Sequence, residues 1–272
     1  MPVAILLVAG TAAMVHAASL KPETIESWDN HVDIVDADLQ ARLDGTKPFL
    51  WVDEEPSRAE RVRAGEILVT HMGRSGSHPV PHGLIHDWSG AIFIPGACMD
   101  DVLAVLHDYG RYKDFYKPAV ITSKPLDQTG ADYRFTMLWM QKVLFVTAAV
   151  DSTYESSYFH AGDKRGYSVT RSTRMQEIQN YGQPEATELP PDQGRGFLWR
   201  MYSVIRYQER DGGVYLEVEA LGLSRDIPVS LRWMVSPVVD RLSRDSLVTS
   251  LRETRDAIRS NRPAFSTLAA RE

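Results

Sequence analysis

The sequence predicts an α+β fold built on one large antiparallel sheet. Six strand-like segments follow one another and are separated by short turns: Val120–Leu126, Tyr133–Gln141, Leu144–Tyr158, Tyr167–Ile178, Phe197–Glu209 and Val214–Ser224. Short connections indicate antiparallel neighbours, because a parallel pair needs a long crossover. Helical spacing is found at three places, namely before the first strand, between the first strands, and after the last strand.

The opening of the sheet lies between Gly90 and Leu126. The apolar run Ala91–Ile94 stops at a proline and a glycine, as is typical of a strand end. A helix follows, because apolar residues recur at one-face spacing at Met99, Val102, Leu103 and Leu106. Gly110 is placed to end this helix in a left-handed turn. A second, aromatic turn precedes Pro118, which forbids further helix.

This pattern resembles the opening of START-like helix-grip proteins, the polyketide-cyclase (SRPBCC) or Bet v 1-like superfamily. It consists of an apolar strand, a proline, a helix ending in L-x-D-Y, and the spacing R-Y-x-x-F-x-x-P-x-V-x-x-S. The residues that carry it are Pro95, Val102, Leu106, Asp108, Tyr109, Tyr112, Phe115, Pro118, Val120 and Ser123. Through the order of strands and helices, the resemblance extends over Ile85–Ile258. It implies a curved sheet wrapped around a long C-terminal helix, a fold that hosts carriers, cyclases and receptors alike.

The N-terminus has the features of an export signal. The run Val3–Val15 is apolar and small, and Val15-His16-Ala17 fits a small-residue cleavage rule, so we expect cleavage after Ala17 or Ala18. The segment lacks a Lys or Arg before the apolar run, and a buried helix or a retained anchor are the alternatives. We therefore expect a secreted or periplasmic protein with no membrane span in the mature chain.

The predicted organisation is a signal peptide over residues 1–18, an N-terminal helix with a first strand and loop over 19–83, a helix-grip domain over 84–262, and a tail over 263–272. The N-terminal helix is amphipathic, with apolar residues at Ile25, Trp28, Val32, Val35, Leu39 and Leu43 and an acidic outer face. The first strand is expected at Glu66–His71.

Composition and motifs exclude several classes of function. The formal net charge is −6, which disfavours a general nucleic-acid surface. Cys98 is the single cysteine, so no intramolecular disulfide forms. The chain has no glycine-rich phosphate loop, nucleophile elbow or H-E-x-x-H motif. We predict no catalytic residue and no cofactor.

Four histidines raise the question of a metal: His71, His78, His82 and His86. On a strand, His82 and His86 would lie ~13 Å apart at ~3.3 Å per residue, too far to share one ion. The loop histidines could still fold back onto one ion, but because the usual ligand spacing is missing we predict no metal site and expect these histidines in surface loops.

The last hairpin has a predicted register. Taking Asp211-Gly212 as a two-residue turn pairs Tyr207 with Leu216, Ile205 with Val218, and Ser203 with Ala220. On the other face Arg206 meets Glu217, and we expect this ion pair to face solvent.

Large and small side chains alternate on the apolar face of this hairpin and form the candidate site. Its predicted residues are Phe197, Trp199, Met201, Ser203, Tyr207, Val218 and Ala220. The small residues leave room either for a packed helix or for a ligand. The long loop Tyr181–Gly196 is a candidate lid. Arg171 and Arg174 fall on opposite faces of a regular strand, so one of them could point inward.

The C-terminal segment supplies the covering helix. Pro228 can start a helical turn that Pro237 interrupts, and Ser243 is a plausible N-cap of the next helix. An apolar stripe follows at Leu247, Leu251, Thr254 and Ile258.

The leading functional hypothesis is noncovalent binding or carriage of a hydrophobic, lipid-like small molecule in an internal cavity. An enzyme of the cyclase or dehydratase kind, using a polar group in the same cavity, is the runner-up. A ligand-free interaction module, with an unknown protein partner, is the third class.

Overall fold

The computed structural model describes residues 18–73, 76–143, 146–227 and 229–261. The apolar run at residues 3–15, the start of the predicted strand at Leu144, Pro228 and the predicted tail lie outside these ranges. The helices are α1 (Pro22–Leu43), α2 (Pro56–Arg63), α3 (Met99–Leu106), α4 (Tyr112–Phe115) and α5 (Val229–Asn261), with 3-10 turns at Trp51–Glu54 and Tyr109–Arg111.

The strands agree closely with the sequence prediction. They are β1 (Ala18–Ser19), β2 (Leu68–His71), β3 (Ser77–Val80), β4 (Gly83–Pro95), β5 (Val120–Thr129), β6 (Asp132–Val143), β7 (Val146–His160), β8 (Arg165–Gln179), β9 (Thr187–Glu188), β10 (Gln193–Gly194), β11 (Arg200–Arg210) and β12 (Gly213–Arg225).

One antiparallel sheet dominates the described chain. Its strand order is β2-β4-β12-β11-β8-β7-β6-β5, with β3 also paired to β4 and β9 to β8. Helices α3 and α4 connect β4 to β5, which are distant in the sheet order, and α5 follows the last strand. This is the α+β helix-grip arrangement, and the fold class predicted from the sequence is confirmed.

The inner face of the sheet, defined as the face that carries α5, holds the main core. The predicted stripe on α5 is buried, with Leu247, Leu251 and Ile258 in one cluster with Ile92 and Leu216. Helix and strand approach closely at Gly90, where a Cβ would lie 2.6 Å from Leu251 Cδ1. Any larger residue at position 90 would force the Leu251 side chain to move, so glycine lets α5 pack close to β4.

The outer face of the sheet is covered by the N-terminal helix. Trp28, Val35 and Leu39 of α1 pack with Ile85 and Leu221 of the sheet. The amphipathic pattern of α1 was predicted correctly. Its docking on the outer face decides which hairpin residues are buried.

The hairpin register is confirmed, with Tyr207 opposite Leu216 and Ser203 opposite Ala220. The solvent exposure predicted for Arg206 and Glu217 is wrong. Their side chains are 1% and 0% exposed, and Nε of Arg206 lies 3.4 Å from Oε2 of Glu217. The pair is buried because the segment around Trp51 lies over it and donates backbone N–H bonds to the Glu217 carboxylate.

Two predicted helix ends differ from the structure. Gly110 lies within the 3-10 turn Tyr109–Arg111 and does not adopt a left-handed conformation. Pro237 does not interrupt α5, which runs continuously from Val229 to Asn261. The proline leaves the carbonyl of Trp233 without its helical N–H partner. Trp233 is 78% exposed, so water can take the place of that partner.

The two arginines on β8 lie on the same face. The pairing of β7 with β8 shifts register between Thr153 and Tyr154, so that Arg171 lies opposite Glu155 and Arg174 opposite Thr153. Both arginines form ion pairs, Arg171 with Glu155 and Arg174 with Asp151. Neither supplies an inward positive charge.

Candidate functional site

The inner face of the last hairpin is apolar yet partly open to solvent. Ser203, Ile205, Val218 and Ala220 are half-buried there. The neighbouring residues on the outer face, which include Tyr202, Val204, Glu219 and Leu221, are buried. If the inner face were packed as a core, its apolar side chains would be less exposed to solvent than the charged side chains of the outer face. The inner face therefore forms an accessible apolar surface, which we call the chamber.

The chamber is closed at the turn end of the hairpin. Tyr207 and Leu216 are buried there, in the cluster that contains Leu251 and Ile258 of α5. Towards the other end, small residues face each other at Ser203 and Ala220, and Gly222 lies opposite Met201. A Cβ on Gly222 would lie 3.0 Å from Cδ1 of Leu198. Leu198 therefore borders the chamber at this end.

One side wall of the chamber is aromatic and hydroxyl-rich. Tyr109, Phe135 and Tyr154 form a buried cluster, with ring centroids 4.0 Å apart between the first two and 5.2 Å between the last two. Met201 packs against this cluster and accepts a hydrogen bond from the Tyr154 hydroxyl at 3.5 Å. The hydroxyls of Tyr109 and Tyr158 are 2.9 Å apart.

Burial keeps these phenols neutral. It raises the pKa of Tyr154 to about 12 and that of Tyr207 to about 12. Their hydroxyls can donate or accept hydrogen bonds without carrying charge across the physiological range. Such a wall suits a ligand that is mostly apolar and has one neutral polar group.

A histidine, His107, also packs into the aromatic wall. Its ring stacks on Tyr133 at 4.7 Å and meets Tyr158 edge-on at 4.3 Å. Its Nε2 is buried with no hydrogen-bond partner in the described chain, and burial lowers the pKa of the ring. A neutral imidazole with a free nitrogen is a potential base.

The predicted site residues are only partly brought together. Met201, Ser203, Tyr207, Val218 and Ala220 share the inner face, as the register requires. Phe197 is half-buried before the start of β11.

Trp199 lies elsewhere. It packs on the outer face with Trp28, Ile85 and Tyr202, so its predicted place in the chamber wall is wrong. The physical reason is that β11 begins only at Arg200, and side chains alternate between faces only within a strand.

The residues that the sequence analysis missed are Leu198 and the aromatic wall. Leu198 was overlooked because strict alternation assigned Trp199 to that position. Tyr109 and Tyr158 lie 49 residues apart in sequence, and only the tertiary fold brings them together.

The loop predicted as a lid is held at several points. Its residues Gln193–Gly194 pair with Ala18–Ser19, and Thr187–Glu188 pair with the end of β8. The backbone N–H groups of Arg195 and Gly196 donate to Glu177.

A second concavity lies on the outer face, beside α1. It is a groove of about 910 Å³, bordered by Val32 and Asp36 of α1 and by Tyr167, Val169 and Arg171 of the sheet. Its lining mixes apolar and charged side chains. The residues named above for the chamber include no Asp, Glu, Lys or Arg, so the chamber is the better candidate for a hydrophobic ligand.

This chain is similar in structure to several solved proteins. No protein-family model matches the chain, and no curated protein sequence matches it. The chain is similar to a STAR-related lipid transfer protein from Xanthomonas axonopodis, at 17% identity and a TM-score of 0.46, covering 71% of this chain and 98% of the other.

Two further structures are similar. Human STARD10 shares 12% identity at a TM-score of 0.44, covering 75% of this chain and 78% of its own. The Zhui aromatase/cyclase from Streptomyces sp. R1128 shares 15% identity at a TM-score of 0.41. The match covers 66% of this chain and 98% of the other. The assignment of the helix-grip arrangement rests on the strand order and helix placement above. None of the described helices combines the length and apolarity that a membrane span requires.

Proposed function

We propose that this protein binds a hydrophobic small molecule, of lipid-like character, noncovalently in the chamber. The observation that carries the proposal is the half-buried state of Ile205 and Val218 on the inner face, beside fully buried charges on the outer face. A ligand lying on these side chains would remove apolar surface from water, at about 25 cal/mol per Å². The site therefore gains most from an apolar ligand.

The polar end of the ligand is proposed to meet the aromatic wall. The hydroxyl of Tyr154 donates to Met201 Sδ and that of Tyr158 to the Leu106 carbonyl, so each oxygen can accept a hydrogen bond from a hydroxyl or protonated acid group of the ligand. Because burial opposes ionisation of the phenols, the wall favours a neutral polar group over an anion, and we expect a fatty-acid-like ligand to bind with its carboxyl group protonated.

The test is native mass spectrometry of the purified protein, followed by solvent extraction and identification of the released molecule. The proposal expects a mass above that of the polypeptide that disappears after extraction, and an apolar compound in the extract. An adduct-free protein that also fails to bind a fluorescent fatty-acid-like probe would contradict it.

Catalysis of the cyclase or dehydratase kind is a second candidate, which His107 favours. In this account the neutral imidazole removes a proton from a ligand held against the aromatic wall. The discriminating variant is His107→Gln. A co-purifying molecule that is converted by wild type, and is bound but not converted by the variant, supports catalysis. A molecule recovered unchanged from both proteins supports carriage.

A further inference from the structure

Three side chains from separate elements converge beneath α1 on the outer face. They are His31 of α1, His78 of β3 and Asp87 of β4, and one nitrogen or oxygen atom from each lies within 4.8 Å of the others. Nε2 of His31 is 2.9 Å from Oδ2 of Asp87, and the two imidazole rings have centroids 5.2 Å apart.

The alternation of the sheet explains why two of these residues share a face. His78 pairs with Ile85 in the β3–β4 ladder, and Ile85 and Asp87 are two residues apart on β4. Ile85 packs against α1, so His78 and Asp87 both face that helix. His31 reaches them from α1 above.

The cluster contains buried polar atoms that lack partners. Asp87 is 4% exposed, and its Oδ1 has no hydrogen-bond partner among the described residues. The same is true of Nε2 of His78. A buried polar atom without a hydrogen-bond partner is rare and costly, more so when it is charged, so two such atoms in one place point to a ligand.

The surrounding charge is negative. Glu217 and Glu219 are buried on the same face, and Arg206 contacts both of them. Burial raises the pKa of Glu219, and the nearby charge of Asp87 raises it further. Among the ion pairs of the described residues, Asp87 has no arginine or lysine partner and contacts only His31, so a bound cation would balance its charge.

We propose that His31, His78 and Asp87 bind one divalent transition-metal ion with the ligand preference of Zn²⁺, and that the ion fixes α1 to the sheet. Two imidazole nitrogens and one carboxylate oxygen form a common ligand set for zinc. Donor atoms on a tetrahedral zinc lie about 3.3 Å apart when each bond is about 2.0 Å long. The His31–Asp87 distance is already close to this, and the proposal requires His78 to move towards the other two ligands from within 4.8 Å.

This cluster differs from the histidine set considered in the sequence. The strand-spacing argument compared His82 with His86, and neither belongs to the cluster. His78 meets a histidine 47 positions earlier, through the docking of α1, which strand spacing does not reveal. The expectation of surface loop histidines is wrong for His78, whose Nε2 is buried, and for His86, which lies within β4 and bonds Ser224 Oγ at 2.9 Å.

The experiment is zinc titration of the untagged full chain after treatment with chelator, by isothermal calorimetry and by thermal melting. We expect one equivalent of Zn²⁺ per chain, a higher Tm with zinc, and visible d–d absorption when Co²⁺ is bound instead. His78→Gln and Asp87→Asn should weaken zinc binding by at least about 100-fold, because loss of a direct ligand should cost no less than the upper range for loss of an outer-shell partner. His82→Gln is the matched control, because His82 is exposed and pairs only loosely with Glu23, at 3.3 Å.

The alternative is that His31 and Asp87 form only an ion pair and bind no metal. Wild type would then bind no zinc above the chelator-treated background, and its Tm would not respond to the metal. Binding that is equal in wild type and His78→Gln would likewise overturn the proposal. If Asp87→Asn does not fold, the wild-type titration and the His31→Gln and His78→Gln variants decide.

Discussion

Arg206 and Glu217 form an ion pair that is buried between the sheet and the N-terminal segment. Oε2 of Glu217 lies 3.4 Å from Nε of Arg206, and its two oxygens accept the backbone N–H groups of Trp51 and Val52 at 2.8 and 2.9 Å. One carboxylate therefore joins the hairpin to the segment that covers it.

Removal of this carboxylate should be strongly destabilising. Glu217→Ala leaves the buried Arg206 with Glu219 as its remaining partner and leaves two backbone N–H groups without their acceptor, which should lower the free energy of unfolding by about 3–5 kcal/mol. Urea denaturation measures the change. The control is Glu66→Ala, because Glu66 and its partner Arg61 are exposed. Its effect should stay within about 0.5 kcal/mol. Equal effects of the two variants would show that the buried pair does not anchor the segment.

Leu251 tests the packing of α5 against the sheet. This side chain is 1% exposed and contacts β4 at Gly90. Leu251→Ala should cost about 2–5 kcal/mol through lost burial and the cavity left behind. Trp233→Ala, on an exposed part of the same helix, serves as the control. A loss below about 0.5 kcal/mol for Leu251→Ala, the range of surface changes, would argue against a gripped helix.

The buried tyrosines predict a loss of stability at high pH. The pKa values of Tyr154 and Tyr207 are about 12 in the folded protein, whereas the pKa of a tyrosine in an unfolded chain is about 10. The unfolded chain therefore releases these protons first. Their contribution to stability is complete below pH ~10 and is lost as pH rises to ~12.

Ultraviolet titration of tyrosinate, combined with urea melts across this pH range, measures both effects. Tyr154→Phe should reduce the alkaline loss of stability. If all 11 tyrosines of the chain titrate together at about pH 10, the tyrosines of the aromatic wall are not buried, and the prediction is contradicted.

Export of the protein remains a prediction from the apolar segment at residues 3–15. Cleavage after Ala17 would retain Ala18, which pairs with Gly194 in the structure. Intact-mass measurement of protein from the secreted or periplasmic fraction should give an N-terminus at Ala18 or Ser19. Soluble cytoplasmic protein that retains Met1–Ala17 would contradict the prediction.

The sequence was sufficient for the strand order of the last hairpin and for its register. Asp211-Gly212 permits one tight turn, and the alternation on either side then fixes which residues face each other. Alternation assigns residues to faces, but it does not tell what covers each face. The burial of Arg206 depends on α1 and the Trp51 segment, which are distant in sequence.

The remaining errors have local causes. Trp199 was assigned to the chamber because the strand was extended beyond its start at Arg200. Arg171 and Arg174 were assigned to opposite faces because a bulge on β8 is invisible in the residue pattern. At the β8 bulge one extra residue reverses the face of the residues beyond it.

The most direct test of the chamber is uptake of a fluorescent fatty-acid-like probe by Ala220→Phe. Ala220 and Ser203 face each other on the inner face, and a phenyl ring at position 220 should occupy the space proposed for the ligand. Val169→Phe is the control, because Val169 borders the groove on the outer face.

We expect wild type and Val169→Phe to bind the probe, and Ala220→Phe to lose binding while its Tm stays close to that of wild type. In a filled core the added bulk would instead cost about 1–3 kcal/mol. A large fall in the Tm of Ala220→Phe, together with a wild-type protein that binds no probe, would contradict a ligand chamber.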